Sequence, residues 1–204
     1  MIPIVVCTIG SPSLAVFKAS VETYVPNVQL IVSSNRGSCF GEAYNIAINE
    51  AFEQFDEIIV ANDDIVLHPT SYTKLLEDVN HLKRFNQLGW VVAKSDSVRP
   101  AQDIRFNNMD AVYEVQTVSP LFGYISKDAW IDFPPINWYS DDIQSLDIRE
   151  KGYRHFVSKS YIHHVGSSTI GQDNQKNHLA AEPWIKENRP ELHAIWFKGE
   201  KNVA

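Results

Sequence analysis

The sequence predicts an α/β fold, an open, mostly parallel twisted sheet with flanking helices. Three observations carry this. The first half of the 204-residue chain alternates short apolar runs with segments of helical apolar periodicity, in the order strand-helix-strand-helix-strand-helix-strand. The apolar runs are continuous rather than alternating, as in strands covered on both faces. No linker divides the chain, so one domain is expected over residues 1–204, with a regular half at 1–94, a less regular half at 95–170 and a polar tail from 171.

The run Ile2 to Thr8 ends at Gly10-Ser11-Pro12 and reads as a buried strand and a turn. Leu14, Phe17, Val21 and Tyr24 follow at helical spacing. A second strand, Val28 to Ser33, breaks at Asn35-Arg36-Gly37. Phe40, Ala43, Tyr44, Ala47, Ile48, Ala51 and Phe55 then mark one side of a helix. A third strand, Glu57 to Ala61, runs into Asn62-Asp63-Asp64. Helix Ser71 to Phe85 gathers Tyr72, Leu75, Leu76, Val79 and Leu82, and Trp90 to Ala93 reads as a fourth strand. In the second half, Val112 to Val118 and Leu121 to Ser126 read as strands, and Pro134-Pro135 breaks the chain. Ser140 suits the N-cap of a helix through Lys151, stopped by Gly152. Tyr161 to Val165 reads as a strand and Leu179 to Glu187 as a helix.

Composition narrows the function. With 44% hydrophobic and 21% charged residues, the chain is neither disordered nor fibrous. The net charge of -7, without a Lys/Arg stripe, argues against nucleic-acid and anionic-membrane partners. An acidic protein that handles a phosphate-bearing ligand needs a metal ion as intermediary. Cys7 and Cys39 alone make no disulfide framework, so a reducing, cytoplasmic location is expected. The N-terminus lacks the basic region of a signal peptide, and no transmembrane segment is expected.

Asn62-Asp63-Asp64 is the sharpest local feature. It lies at the carboxyl end of a predicted parallel strand, the edge where open α/β sheets bind ligands. Adjacent carboxylates repel unless a cation sits beside them, and oxygen ligands suit Mg²⁺ or Mn²⁺. Such acids also cap turns. Asp141 and Asp142 fall in the first turn of a predicted helix, where they serve either as a good helix start or as a general base. His163-His164 follows an apolar segment, and a histidine there either completes a metal site or packs. Asn35-Arg36-Gly37, with Gly41, Ala43 and Asn45, forms a loop and helix start able to bind phosphate through backbone N–H groups. Gly37-Ser38-Cys39-Phe40-Gly41 matches the spacing of a nucleophile elbow, but Asn35-Arg36 separate it from the strand. Phosphate-loop, dinucleotide, H-E-x-x-H and C-x-x-C motifs are absent. Asn62, at the first position of the acidic motif, disfavours an aspartyl-nucleophile phosphatase.

Together, in order, these segments resemble the nucleotide-sugar-dependent glycosyltransferases of GT-A fold, especially family 2-like inverting enzymes. Ile4 to Ile9 resembles the opening strand, Asn35-Arg36-Gly37 with Ala43-Tyr44-Asn45 the N-x-G…A-x-N stretch, and Ile58 to Asp64 the strand that delivers the D-x-D motif. Trp138 to Asp142 with Arg149 to Tyr153 is similar to the E-D…R-x-x-G-Y element, and His164 to Thr169 resembles the C-terminal His segment. The match spans residues 2 to 169, and the short chain suits a compact bacterial or virus-encoded member.

The resemblance implies a Rossmann-like nucleotide-sugar half at 1–94 and an acceptor half at 95–170. It implies a donor that is a nucleotide-diphosphate sugar, UDP by default, and a glycan or other hydroxyl acceptor. Thr8, Ile9, Gly10, Asn35, Arg36, Gly37, Asn45, Asn62 and Asp63 would bind the donor, and Asp64 and His164 would hold Mn²⁺ or Mg²⁺. Asp141 is favoured as base, with Asp142 second. Trp130, Trp138 and Tyr139 are candidates to stack on a sugar, or else to pack in the core. Asn62 replaces the first acid of D-x-D, and no acid follows the second strand, where Ser33-Ser34-Asn35 stands. Two alternatives are a non-catalytic sugar-nucleotide or glycan-binding module of the same fold and a Cys39-dependent hydrolase.

Overall fold

The computed structural model describes residues 1–34, 36–166 and 174–197. Its elements are β1 (Ile4–Thr8), α1 (Ser13–Tyr24), β2 (Leu30–Ser34), α2 (Phe40–Phe52), β3 (Glu57–Ala61), β4 (Ile65–Leu67), α3 (Ser71–Leu82), β5 (Leu88–Ser95), β6 (Tyr113–Val115), β7 (Phe122–Ser126), α4 (Ser140–Glu150), β8 (Arg154–His164), α5 (Asn174–Asn188) and α6 (Pro190–Trp196). One eight-stranded sheet runs β2-β1-β3-β7-β5-β8-β4, with β6 paired to β8.

The sheet is mixed. β1–β2, β1–β3 and β5–β8 are parallel pairs, whereas β3–β7, β5–β7, β4–β8 and β6–β8 are antiparallel. β3 and β5 do not lie side by side: β7 inserts between them, antiparallel to both. Two successive antiparallel pairings restore direction, so β1, β3, β5 and β8 all point the same way. Their carboxyl ends share one rim.

Both faces are covered, which explains the continuous apolar runs. Ile4, Val6, Ile59 and Ala61 pack on one face with Phe17 and Val21 of α1 and Leu75 and Val79 of α3. Val5, Cys7, Ile58 and Val60 face the other way, with Ala43, Ala47, Ile48 and Ala51 of α2 and Ile148 of α4. Successive strand residues thus serve opposite cores. A third, separate apolar cluster joins Ile136 and Ile143 to Ala181, Ile185 and Leu192, seating α5 and α6 beside α4.

Ser140 is not the N-cap expected of it. Tyr139 takes that position in the left-handed region (φ 69°), and Ser140 begins the helix with a buried Oγ that has no hydrogen bond among the described residues. Gly152, with φ 92°, does end the helix as expected. No helix among the described residues is long and apolar enough to cross a membrane.

Candidate functional site

The shared rim opens into a cavity of about 1010 Å³. Thr8 and Ile9 reach it from the end of β1, Asn62 to Asp64 from the β3–β4 turn, Ser97 to Arg99 from beyond β5, and His164 from the end of β8. Ser119 to Leu121 enter ahead of β7, and Asn137 to Asp142 close the opposite wall at the start of α4. Ligands of open α/β sheets bind outside the carboxyl ends of parallel strands, where this cavity lies.

β4 sharpens the acidic turn. Only three residues separate β3 from β4, so Asn62, Asp63 and Asp64 are held in a tight connection with little freedom. Asn62 N–H donates to the Leu121 carbonyl (2.9 Å), and its Oδ1 accepts from the Tyr44 hydroxyl (3.2 Å). Asp63 is buried, and its Oδ2 accepts from the Thr8 and Ser11 hydroxyls. Asp64 is buried too, with Oδ2 3.3 Å from His164 Nε2 and Oδ1 without a hydrogen bond among the described residues. A buried, unpartnered carboxylate oxygen is costly, and it marks where a bound group would be stabilised.

His164 is oriented for that group. Its Nδ1 lies 2.6 Å from the Ser97 carbonyl, an acceptor only, so Nδ1 carries the proton and Nε2 points at Asp64. Burial pulls the imidazole pKa down, but the Asp64 and Ser97 hydrogen bonds and the charges of Asp64 and Asp96 hold it above the usual value. His163 faces away from the cavity, half exposed, and pairs with Asp96.

Among the described residues no cluster of three or more His, Cys, Asp or Glu side chains is set to hold a metal. Asp64, with its open oxygen, and the His164 imidazole are the side chains here that could ligate a divalent cation, whose other positions would fall to ligand and water oxygens.

The opposite wall carries a second polar group. Arg99 donates from Nη2 to Asp141 Oδ2 (2.7 Å) and from Nη1 to Asp142 Oδ1 (2.6 Å). Ser119 Oγ also donates to Asp141 Oδ2 (2.9 Å), and the Asp142 N–H donates to Asp141 Oδ1 (3.1 Å). Burial raises the Asp141 carboxyl pKa against the lowering pull of Arg99, and the charge of Asp142 adds to the rise.

Of the donor-binding residues expected from sequence, Thr8, Ile9, Asn62 and Asp63 line the cavity together with Asp64, Asp141, Asp142 and His164. Gly10, Arg36, Gly37 and Asn45 are not part of that lining. Gly10 turns the chain out of β1 at φ 81°. Arg36 pairs with Glu50 at the surface. A Cβ on Gly37 would lie 2.4 Å from the Ala43 nitrogen, so this glycine lets the loop close onto α2. Asn45 sutures α2 to the stretch that precedes α4, donating to the Phe133 carbonyl (2.9 Å) and accepting from its N–H (2.7 Å). Asn35 and Ser167 to Thr169 lie outside the described residues. Trp130 packs edge-on against Trp90 and Phe133, whereas Trp138 and Tyr139 line the cavity. Cys39 caps α2 and also lines it, but no imidazole hydrogen-bonds to it among the described residues. Cys7 is buried, and its thiol is pushed up to about 11, chiefly by that burial.

Sequence reasoning missed Arg99, Ser97, Ser119 and Asn177, all of which line the cavity. No local motif announces them, and Arg99, Ser97 and Ser119 act through partners far along the chain.

No family model matches the sequence, and no curated protein does. A solved structure, A197 from STIV, superposes with a TM-score of 0.54 at 14% identity, covering 77% of this chain and 81% of that one. At that identity the likeness concerns the fold alone.

Proposed function

We propose that the cavity binds a nucleotide-diphosphate sugar, with a UDP-sugar as the first choice, and transfers the sugar with inversion to a glycan or other hydroxyl acceptor. The observation that carries this reading is the pairing of two acidic groups across one cavity. One has an open, buried Asp64 oxygen beside His164, and the other is the Asp141–Asp142 pair. At about 1010 Å³ the cavity reaches the upper end of ordinary ligand sites, enough for donor and acceptor together.

Asp64 and His164 would hold Mn²⁺ or Mg²⁺, with Asp63, fixed by Thr8 and Ser11, beside them. Such an ion, when bound, stabilises the negative charge that develops on the departing diphosphate. Across the cavity the carboxylate pair takes the proton of the acceptor hydroxyl. The hydroxyl oxygen bonds to the anomeric carbon from the face opposite the diphosphate, the anomeric C–O bond to phosphate breaks, and the configuration inverts. Trp138 and Tyr139 lie on the same wall, where Trp138 would meet a sugar ring.

A thermal-shift screen of nucleotide diphosphates and their sugars, with and without Mn²⁺, tests donor binding by mass action. Sugar release or transfer from the stabilising donor then tests turnover. Indifference to every nucleotide sugar, with metal or without, overturns the proposal. A non-catalytic binding module of the same fold is the second reading. The grip of Arg99 on both carboxylates favours it, and donor binding without turnover would select it.

A further inference from the structure

We propose that Arg99 is a positioning residue for this reaction: one guanidinium clamps Asp141 and Asp142 together and turns one Asp142 oxygen toward the acceptor hydroxyl. The inference rests on the proposed transfer reaction and assigns a role within it.

Four of the five guanidinium N–H groups are engaged. Besides the two carboxylates, Arg99 Nε donates to Ser119 Oγ (2.9 Å) and Nη1 to Thr117 Oγ1 (2.6 Å). The side chain is only 20% exposed, so water screens these bonds poorly. Adjacent carboxylates in one helical turn repel each other, and a shared cation allows both to stay ionised. The α4 dipole works in the same direction.

The bonds are not shared equally. Asp141 is occupied at both oxygens, by Arg99 and Ser119 at Oδ2 and by the Asp142 N–H at Oδ1. Asp142 accepts from Arg99 at Oδ1, and its Oδ2 has no hydrogen bond among the described residues. Asp141 therefore anchors the fork, and the oxygen left to accept a proton is on Asp142. A lysine has the charge but not the planar fork that reaches both carboxylates at once.

The segment that carries Arg99 is itself fixed. Lys94 is fully buried and donates to the Ala111 (2.7 Å) and Ser158 (2.6 Å) carbonyls. Gln102, equally buried, accepts from the Ser119 N–H (2.6 Å) and donates to the Ser119 carbonyl (2.9 Å). The charged groups that face the carboxylate pair are Arg99 and the two acids themselves, with Asp63, Asp64 and His164 lining the same cavity from β3–β4 and β8.

The test compares wild type, Arg99→Met and Arg99→Lys in two assays. Carbon-detected NMR follows the titration of the Asp141 and Asp142 carboxyl carbons without any substrate. Steady-state kinetics with the stabilising donor gives the pH profile of transfer. In Arg99→Met the pair should titrate about one to three pH units higher, the scale of a lost neighbouring charge. The acid limb of the transfer profile should rise with it, kcat should fall at least about tenfold near pH 6, and the donor KM should stay unchanged. Arg99→Lys should show a smaller pH shift with a reduced kcat, and it carries the comparison if the Met variant does not fold. Unchanged titration, an unchanged acid limb, or a loss confined to the donor KM overturns the proposal. If wild type transfers no sugar at all, the reaction falls and this role in it falls too, while the NMR comparison still reports whether the clamp holds.

Discussion

Asp64→Asn separates the stability of the site from its function. Asp64 is a buried carboxylate with one oxygen unpartnered among the described residues, and leaving such a group unmet costs about 1–3 kcal/mol, more when it is charged. Asparagine is nearly the same shape, removes the charge, and can donate to His164 Nε2, now 3.3 Å from Oδ2. Loss of the attraction between Asp64 and His164 offsets part of this gain, by about 1 kcal/mol. The ligand-free variant should therefore be more stable by about 1 kcal/mol, or about 2–4 °C in Tm for a domain of this size. With metal and nucleotide sugar at about a hundred times Kd, wild type should gain about 2.7 kcal/mol and the variant almost nothing. The order of melting temperatures reverses between the two conditions. Scanning fluorimetry near pH 8, first with a chelator and then with Mn²⁺ and donor, reads both halves. A variant that is weaker by more than about 2 kcal/mol without ligand, or that shows the full ligand-induced shift, refutes the reasoning.

Three further expectations follow from other parts of the molecule. Gly41→Ala should lower stability by about 1–3 kcal/mol in urea melts, because its Cβ would lie 1.9 Å from the Pro134 carbonyl oxygen; helix propensity alone predicts a gain of about 1 kcal/mol, so the sign decides. Buried His155 has its pKa lowered to about 4, chiefly by burial, while its Nδ1 accepts from the Trp90 N–H and its Nε2 donates to the Ser145 carbonyl. Its folded pKa lies below the unfolded value near 6.5, so the unfolded chain binds the extra proton and stability falls as pH drops through that interval, by about 2 kcal/mol at pH 5. His155→Gln, which can make both hydrogen bonds without titrating, should flatten that part of the pH dependence, and an equally steep variant would contradict it. Asp142→Asn should keep donor binding in thermal-shift titrations while losing about a hundredfold or more in transfer rate, and Asp141→Asn should lose less; full transfer by Asp142→Asn would remove it as the proton acceptor.

The first half of the fold is legible because its strands are largely apolar and its helices carry one apolar stripe. β8 was largely missed, being expected only from Tyr161. Its buried positions include His155, Ser158 and Ser160, whose side chains are met by the Ser145 carbonyl, the Ser160 N–H and the Ser71 carbonyl. Hydropathy cannot see a strand whose inward side chains are hydrogen-bonded. β4 is three residues long, too short for any periodicity. The acidic turn and the Asp141–Asp142 pair were visible because chemistry concentrates in adjacent residues there. Arg99 was not, since its partners lie 18 to 43 residues away. Arg36 and Asn45 stood in a suggestive local pattern, yet Glu50 and Phe133 take up their polar atoms.

The wall that bears Tyr139 and the carboxylates rests on α5 and α6 through a small apolar cluster of its own, apart from the two cores of the sheet. Tyr139 stacks on Trp196 at 4.8 Å, so the far end of the described chain props up the turn that leads into α4. The two sides of the cleft can accordingly diverge at different speeds. Substitutions among a handful of residues would remould that wall of the cavity while the opposite wall, braced by the sheet, stays as it is.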